Sequence, residues 1–233
     1  MEGGNSVADL LTGKVNPSGK LTMTWPLAAT DHPSTKGYPG TMDFYTYEVT
    51  RGYTGQVQGY DYTNHDEDIY VGYRFFDTFQ RNVAYPFGFG LSYTTFEYSK
   101  PKCYQYIHRN DGVVIQITIK NTGSVAGKEV AQVYVQAPKG RLEKPAQELK
   151  AFAKTRELQP GESQVLTMTI PVRDLASFDE ANSQWLSEAG TYTFRIGASS
   201  RDIKATVSLP LKEYTEKTSN ALAPQQKLRL LTQ

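Results

Sequence analysis

The chain has 233 residues, enough for one large domain or for a domain of ordinary size with a substantial extra segment. Its 25 Lys and Arg residues balance 24 Asp and Glu residues, and the net charge of +1 argues against nucleic acid and anionic membranes as partners. No apolar run approaches the ~20 residues of a membrane span, and the start MEGGNSVADL lacks the basic and apolar segments of a secretory signal.

The N-terminal part of the chain predicts a short helix followed by a strand. Asn5 or Ser6 can cap a helix over residues 7–12, and Gly13 can end it. Apolar residues then alternate over residues 21–25, as in a strand. The helix is shorter than the ~12–15 residues that are marginally stable alone, and the strand has no evident partner within the first forty residues. We therefore predict that this unit is the last helix and strand of an α/β layer.

Residues 27–69 follow with little periodicity and many turn-forming Gly and Pro residues. A stretch this long without helices or strands is uncommon inside a compact domain unless it has a function or wraps a neighbour. Disordered segments are poor in aromatic residues, so we predict an ordered segment whose tyrosine rings pack at an interface. A sugar-stacking surface is the alternative. The six tyrosines concerned are Tyr38, Tyr45, Tyr47, Tyr53, Tyr60 and Tyr62.

The C-terminal half predicts an antiparallel β-sandwich. Short stretches in which apolar and polar residues alternate are separated by turn signals, among them Pro160-Gly161, which fits a type II turn. The polar tail carries a late apolar cluster at Leu228, Leu230 and Leu231, and is either a frayed terminus or a tie to another domain. The predicted strands cover residues 96–102, 113–120, 131–136, 147–152, 166–170, 192–196 and 205–209.

Several stretches, in this order, resemble glycoside hydrolase family 3, the β-glucosidase and β-xylosidase family. EGGNSVADLLTGKVNPSGKLTMTWP (2–26) is similar to the closing helix and strand of that family's second, α/β-sandwich domain. HDEDIYVGYRFFDT (65–78) resembles the segment that leaves this domain, and YPFGFGLSYTTFEYS (85–99) resembles the start of the fibronectin type III-like domain. Further stretches resemble successive parts of that third domain: GKEVAQVYV (127–135), PAQELKAFAKTRELQPGES (145–163), DLASFDE (174–180) and WLSEAGTYTFRIGASS (185–200).

The resemblance, which covers residues 2–213, implies a division of the chain into four parts. They are a C-terminal remnant of the α/β-sandwich domain (1–26), a Tyr/Gly-rich wrapping linker (27–90), a fibronectin type III-like β-sandwich (91–213) and a C-terminal tail (214–233). It also implies that the aromatic rings of NVAYPFGFGLSYTTFEYS (82–99) fill the contact between domains. These rings belong to Tyr85, Phe87, Phe89, Tyr93 and Phe96.

The chemistry that the resemblance implies needs residues that this sequence lacks. Family 3 enzymes are retaining hydrolases of terminal, non-reducing β-D-glucosyl or related residues, and they use two carboxyl groups ~5 Å apart. In the family, the nucleophilic Asp lies in an N-terminal barrel and the acid/base Glu usually lies in the second domain. Neither motif has a counterpart here. The chain alone is therefore expected to be a non-catalytic scaffold, without catalytic residues, metal or cofactor, and its substrate-binding residues stay unknown.

The resemblance also implies partners and a compartment. The expected partners are the N-terminal barrel and the α/β domain of a parent enzyme, which would be periplasmic or extracellular. The compartment of this chain itself stays undetermined. Apolar and aromatic surface that would face those domains is expected to promote self-association.

Local side-chain clusters offer weaker candidates. Asp66-Glu67-Asp68 could supply an acid and a base, because crowded carboxylates raise one another's pKa, but a solvated acidic turn is the favoured interpretation. Asp179-Glu180 is interpreted as turn chemistry. Arg74 is predicted to anchor a buried carboxylate between domains. Cys103 is the only cysteine, so no disulfide can form within the chain. His32, His65 and His108 lack the spacing of zinc ligands.

Two alternative functions remain open. An autonomous carbohydrate-binding module would use aromatic faces for stacking, and cello-oligosaccharides would then quench Trp25 or Trp185. A protein-interaction sandwich explains residues 91–213 but not the α/β remnant. If the scaffold interpretation is right, limited proteolysis should cut first within residues 27–69 and leave a core that starts near Leu91.

Overall fold

The computed structural model describes residues 2–36, 44–49, 53–58, 65–106, 112–223 and 231–232. Its regular structure is mainly antiparallel β, which confirms the predicted fold class. The helices are α1 (Gly3–Leu11) and α2 (Tyr73–Thr78), with 3-10 turns at Ala29–Asp31, Pro33–Lys36 and Val172–Leu175. The strands are β1 (Trp25–Pro26), β2 (Phe44–Val49), β3 (Tyr53–Gln58), β4 (Val83–Tyr85), β5 (Phe96–Tyr98), β6 (Lys102–Tyr106), β7 (Gly112–Asn121), β8 (Val130–Gln136), β9 (Glu148–Lys154), β10 (Ser163–Pro171), β11 (Ser177–Asp179), β12 (Gln184–Ser187), β13 (Gly190–Gly197), β14 (Ile203–Leu211) and β15 (Tyr214–Lys217).

Helix α1 begins earlier than predicted. It starts at Gly3 instead of residue 7, so Asn5 and Ser6 lie inside its first turn and cannot cap it. The Asn5 side chain instead donates a hydrogen bond to Glu2 Oε2 at 2.7 Å. The predicted end is confirmed, because Gly13 follows the helix with a φ of +74°.

Of the strand predicted over residues 21–25, only β1 is formed. Its partner strand, β4, lies near the end of the N-terminal segment. β1 pairs antiparallel with β4. Ahead of β1, Leu21 accepts a backbone hydrogen bond from Gly88 at 2.9 Å and donates one to Phe89 at 2.8 Å. The partner is thus residues 83–89, beyond the first forty residues, in which none was evident.

A hairpin of β2 and β3 lies inside the stretch for which no strand was predicted. The many Gly and Pro residues around it indicated a stretch without strands, although apolar and polar residues do alternate in FYTYEV and YTGQVQ. Tyr45, Tyr47 and Tyr53 lie in these strands, whereas Tyr38, Tyr60 and Tyr62 lie outside the described residues.

Two antiparallel sheets form the predicted sandwich. One has the order β10-β7-β5, with β6 also paired to β7, and the other has the order β14-β13-β8-β9. The first predicted strand, over residues 96–102, is divided into β5 and β6, which pair with the two ends of β7. Pro101 lies in the break, where its missing N–H interrupts the ladder.

The core between the two sheets is built from the apolar positions that alternate along the strands. The inward faces of β7, β8, β10 and β13 are buried, while Lys120 and Thr167 point outward into solvent. This confirms the predicted alternation, because side chains on a strand alternate between its two faces. The fully buried members include Val113, Ile115, Ile119, Ala131, Val133, Ile170, Phe194 and Ile196.

A third, smaller sheet of β11, β12 and β15 was not predicted, and it ties the tail to the chain. β15 lies in the tail and pairs with β12. At residue 231 the tail touches the N-terminal segment, because Leu231 donates a backbone hydrogen bond to Asp66 at 2.7 Å and packs against the buried Tyr70 and Phe76. Leu228 and Leu230 lie outside the described residues.

Candidate functional site

The N-terminal segment is fixed to the sandwich along a contact that we call the seam. It is formed by residues 16–26 and 70–90 against the β14-β13-β8-β9 sheet and the loops next to it. At one end, Lys20 pairs with Glu129 at 2.9 Å, and their side chains are only 16% and 11% exposed. Beside them, Asn16 donates to the Ala126 carbonyl at 2.9 Å. A buried ion pair is costly to break from one side, so this end of the seam is rigid.

A buried glutamine links the N-terminal segment to the sandwich in the middle of the seam. Gln132, on β8, donates to the carbonyls of Gly88 at 3.1 Å and Ala198 at 2.9 Å, and its Oε1 accepts the Tyr134 hydroxyl at 2.5 Å. Gly88 has a φ of +78°, and a Cβ on it would lie 2.0 Å from Gln132 Oε1. The backbone of the N-terminal segment therefore approaches the sandwich at a point where a Cβ would displace the buried Gln132 side chain.

Arg201 anchors the other end of the seam. Its Nε donates to Asp77 Oδ1 at 2.7 Å, and its Nη2 donates to the carbonyls of Phe76 at 3.1 Å and Arg81 at 2.8 Å. The Asp77 side chain is only 8% exposed. Arg201 thus fills the role that the sequence suggested for Arg74.

Arg74 itself makes a weaker contact than predicted. Its Nη1 lies 3.6 Å from Glu148 Oε1, beyond hydrogen-bond distance, and the Glu148 side chain is 27% exposed. The prediction of a buried carboxylate for Arg74 was therefore wrong, since the buried carboxylate belongs to Asp77, three residues along α2.

Only some of the rings predicted for the contact between domains lie in the seam. Phe87 is half-buried and packs against Tyr73, with ring centroids 4.6 Å apart, and Phe96 packs against the sandwich core. Tyr85 and Tyr93 are instead 45% and 50% exposed. Tyr93 donates its hydroxyl to the Leu10 carbonyl at 2.8 Å. That these two rings fill a contact with a further domain stays a prediction.

The Tyr85 ring forms part of an apolar groove of about 470 Å³, lined by Gly19, Lys20, Leu21, Trp25, Tyr85, Phe89, Gly90 and Leu91. Trp25 and Leu91 are 50% and 70% exposed. Trp25 meets Tyr85 edge to face, with ring centroids 6.3 Å apart. The one cationic side chain, Lys20, is already paired with Glu129.

The acidic candidates do not assemble into a catalytic pair. Asp66 and Asp68 are exposed, and Glu67 contacts His65 Nδ1 at 3.1 Å. Asp179 is buried at the end of β11, and hydrogen bonds from Asn182 and Gln184 lower its pKa. A general acid needs a raised pKa, so Asp179 is suited to shaping the turn at residues 180–183 and not to catalysis.

The remaining candidates are separate from one another. Cys103 is half-buried, and burial raises the pKa of its thiol to about 11. His32 packs its ring against Phe76, whereas His108 lies outside the described residues. Within the described ranges, no group of three or more His, Cys, Asp or Glu side chains can hold a metal ion, and no helix is long and apolar enough to cross a membrane.

Two family models match the chain. The glycosyl hydrolase family 3 C-terminal domain matches residues 1–93, and the fibronectin type III-like domain matches residues 129–200. Among curated relatives, beta-glucosidase A of Butyrivibrio fibrisolvens is 39% identical over 96% of this chain and 28% of its own length. A beta-glucosidase of Ruminococcus albus is 41% identical over 96% of this chain and 22% of its own length.

Solved structures give the same result. Beta-glucosidase 3B from Thermotoga neapolitana has a TM-score of 0.80 and 48% identity, over 93% of this chain and 28% of that chain. A beta-glucosidase from Paenibacillus barengoltzii has a TM-score of 0.83 and 39% identity, over 96% of this chain and 24% of that chain. The chain thus spans about a quarter of the length of the relatives that it matches.

Proposed function

We propose that the chain is the C-terminal scaffold of a retaining β-glycosidase of glycosyl hydrolase family 3, whose catalytic groups are carried on other parts of the enzyme. The sandwich would brace those parts through the N-terminal segment, which the seam holds rigidly. The whole enzyme would hydrolyse terminal, non-reducing β-D-glucosyl or related residues. The chain by itself would not hydrolyse glycosides.

The observation that carries this proposal is the exposed apolar surface of the N-terminal segment. Helix α1 buries none of its residues, and Leu11 is 79% exposed. Trp25 and Leu91 expose further apolar area at the apolar groove. A nine-residue helix is too short to be stable alone, and large exposed apolar patches mark interaction sites. Both features fit a surface that further chain of the same enzyme covers.

The state of the carboxyl groups supports a non-catalytic role. Retention requires two carboxyl groups ~5 Å apart, one with a raised pKa. Glu129 and Asp77 are held in the ion pairs of the seam. A hydrogen bond from Arg156 lowers the pKa of Glu162 to about 2. These groups act as anions that hold the structure together.

A chimaera tests the proposal. The Thermotoga neapolitana enzyme, which is 48% identical over the shared region, would have its matching segment replaced by this chain. We expect the chimaera to hydrolyse p-nitrophenyl β-glucoside, whereas the isolated chain should show no hydrolysis above a mock preparation. Hydrolysis by the isolated chain would contradict the scaffold role.

A matched pair of variants links the activity to the apolar groove. Trp25→Glu should abolish most of the chimaera's activity, because it places a charge in the apolar contact. Tyr104→Glu, at a ring that is 45% exposed on the sandwich, should leave it unchanged. If both variants were equally active, the apolar groove would not be the contact with the catalytic part.

A further inference from the structure

We propose that the chain binds a linear, neutral β-linked oligosaccharide in a second groove, which runs along strand β9 and passes Trp185. The proposal relies on the proposed function only for the choice of a β-glucan as ligand. The geometry of the groove stands independently of it.

The groove consists of three neighbouring depressions, and we call it the β9 groove. The depressions have volumes of about 470, 540 and 450 Å³, and Leu149 lines all three of them. Glu148 is shared by the first two and Lys150 by the last two. A groove that follows one strand in this way suits an elongated ligand better than a compact one.

Trp185 provides an aromatic face in the central depression. It lies in the middle of the small sheet, with Phe178 of β11 and Glu216 of β15 directly opposite it. Its ring is 5.5 Å from that of Phe178, and the residue is 36% exposed, although large aromatic residues are usually well covered. The C–H face of a pyranose ring stacks on such an indole.

Polar groups of neighbouring elements lie next to this residue. Glu216 accepts hydrogen bonds from the Tyr214 hydroxyl at 2.7 Å and from Arg173 Nε at 2.8 Å. Arg173 also lines the central depression, next to Asp174. Charged side chains that are already oriented can bind pairs of sugar hydroxyls through strong hydrogen bonds.

The charges of the central depression favour a neutral ligand. It is lined by two cationic residues, Lys150 and Arg173, and by two anionic residues, Glu148 and Asp174. These charges cancel, so neither an anion nor a cation gains a net attraction. A polyhydroxylated neutral chain can form hydrogen bonds with charged side chains of either sign.

The edge of β9 disfavours an extended peptide as the ligand. Strand addition needs a row of unpaired backbone groups. The Leu149 N–H already donates to the Tyr73 hydroxyl at 2.8 Å. The pairing of β9 with β8 also shifts register at Val133/Tyr134, next to Lys150, and such a bulge interrupts a regular edge.

The two tryptophans of the chain allow a direct test. Cellotetraose would be titrated into the full chain by calorimetry. We expect saturable binding that Trp185→Ala weakens at least tenfold and that Trp25→Ala leaves within twofold of wild type. In a Trp25→Phe background, Trp185 is the sole tryptophan, so saturable quenching of its fluorescence would report on the β9 groove itself.

A second variant separates binding from folding. Asp174 is exposed at the rim, so Asp174→Ala should weaken binding about three- to tenfold without changing the far-UV circular dichroism. Three results would overturn the proposal: no saturable binding of cellotetraose, binding that depends on Trp25 but not Trp185, or binding of an alternating Val-Thr hexapeptide in place of the sugar. The chimaera's hydrolysis does not involve the β9 groove, so failure here leaves the scaffold proposal standing.

Discussion

Replacing Gly88 by alanine tests how closely the N-terminal segment must approach the sandwich. Two costs add at this position. The φ of +78° is unfavourable for any residue with a Cβ, by ~1–2 kcal/mol. The new Cβ would also lie 2.0 Å from Gln132 Oε1 and 2.8 Å from its Cδ, so the glutamine side chain must move. Losing two of its buried hydrogen bonds costs a further ~2–6 kcal/mol, at ~1–3 kcal/mol each.

Gly161 provides the matched control. It has a φ of +81°, and nothing lies within 4 Å of its Cβ position. Gly161→Ala should therefore show only the conformational cost of ~1–2 kcal/mol, whereas Gly88→Ala should lower the free energy of unfolding by ~3–8 kcal/mol. Urea unfolding followed by circular dichroism measures both. Equal losses for the two variants would refute the argument from close approach.

A double-mutant cycle identifies the cause of the difference. If the alanine methyl collides with the glutamine side chain, Gln132→Ala should relieve part of the cost of Gly88→Ala, because the colliding atoms are gone. The two changes would then be non-additive by ~1 kcal/mol or more. If the two losses of stability were strictly additive, the cost of Gly88→Ala would not come from a collision with the Gln132 side chain.

Three further predictions concern the seam and the core. Arg201→Ala should lower the free energy of unfolding by ~3–5 kcal/mol, because it removes the cationic partner of the buried Asp77. Lys204→Ala, in an exposed pair with Asp202, should cost below ~1 kcal/mol. Similar losses of the two variants in urea unfolding would contradict this. Burial raises the pKa of the Cys103 thiol to about 11. The native chain is therefore stabilised most below the unfolded thiol pKa of ~8.5, and it loses this contribution as the pH rises towards 11. Iodoacetamide labelling of the native chain should accelerate up to pH ~11, whereas labelling of the urea-unfolded chain should level off earlier, and coincident pH profiles would contradict the prediction. Limited proteolysis should still cut first within residues 27–69, since a two-stranded hairpin is only marginally stable alone. The resistant core should begin near residue 65 instead of Leu91, because Tyr70 and Phe76 are fully buried. Mass spectrometry of the fragments distinguishes the two starting points.

The sandwich could be predicted from the sequence because its strands obey a simple rule. Apolar residues at every second position of VVIQITIK and of the later strands point into one core, and the structure confirms each of these strands. The small third sheet could not be predicted from this alternation. Its strands, SFD, QWLS and YTEK, have only three or four residues each, which is too few for a period to appear.

The seam could be predicted only in part, because its contacts join residues far apart in sequence. Arg201 and Asp77 are 124 residues apart, and Gln132 and Gly88 are 44 apart, so no local pattern links them. One signal was available for Gln132. In the structure, residues 131–135 are buried on both faces of β8. In the sequence, the large aromatic Tyr134 on the same face as Gln132 could have indicated that the outer face of this strand is covered as well.

The position of the seam has a consequence for how this protein can be rearranged in evolution. The sandwich looks like a module that gene fusion could exchange at residue 91. Such a breakpoint would remove Asp77 from Arg201, the Gly88 carbonyl from Gln132, and the Phe87 carbonyl that accepts the Ser200 N–H at 2.9 Å. We therefore expect the sandwich to be inherited together with the segment before it, with viable recombination points upstream of Asn16.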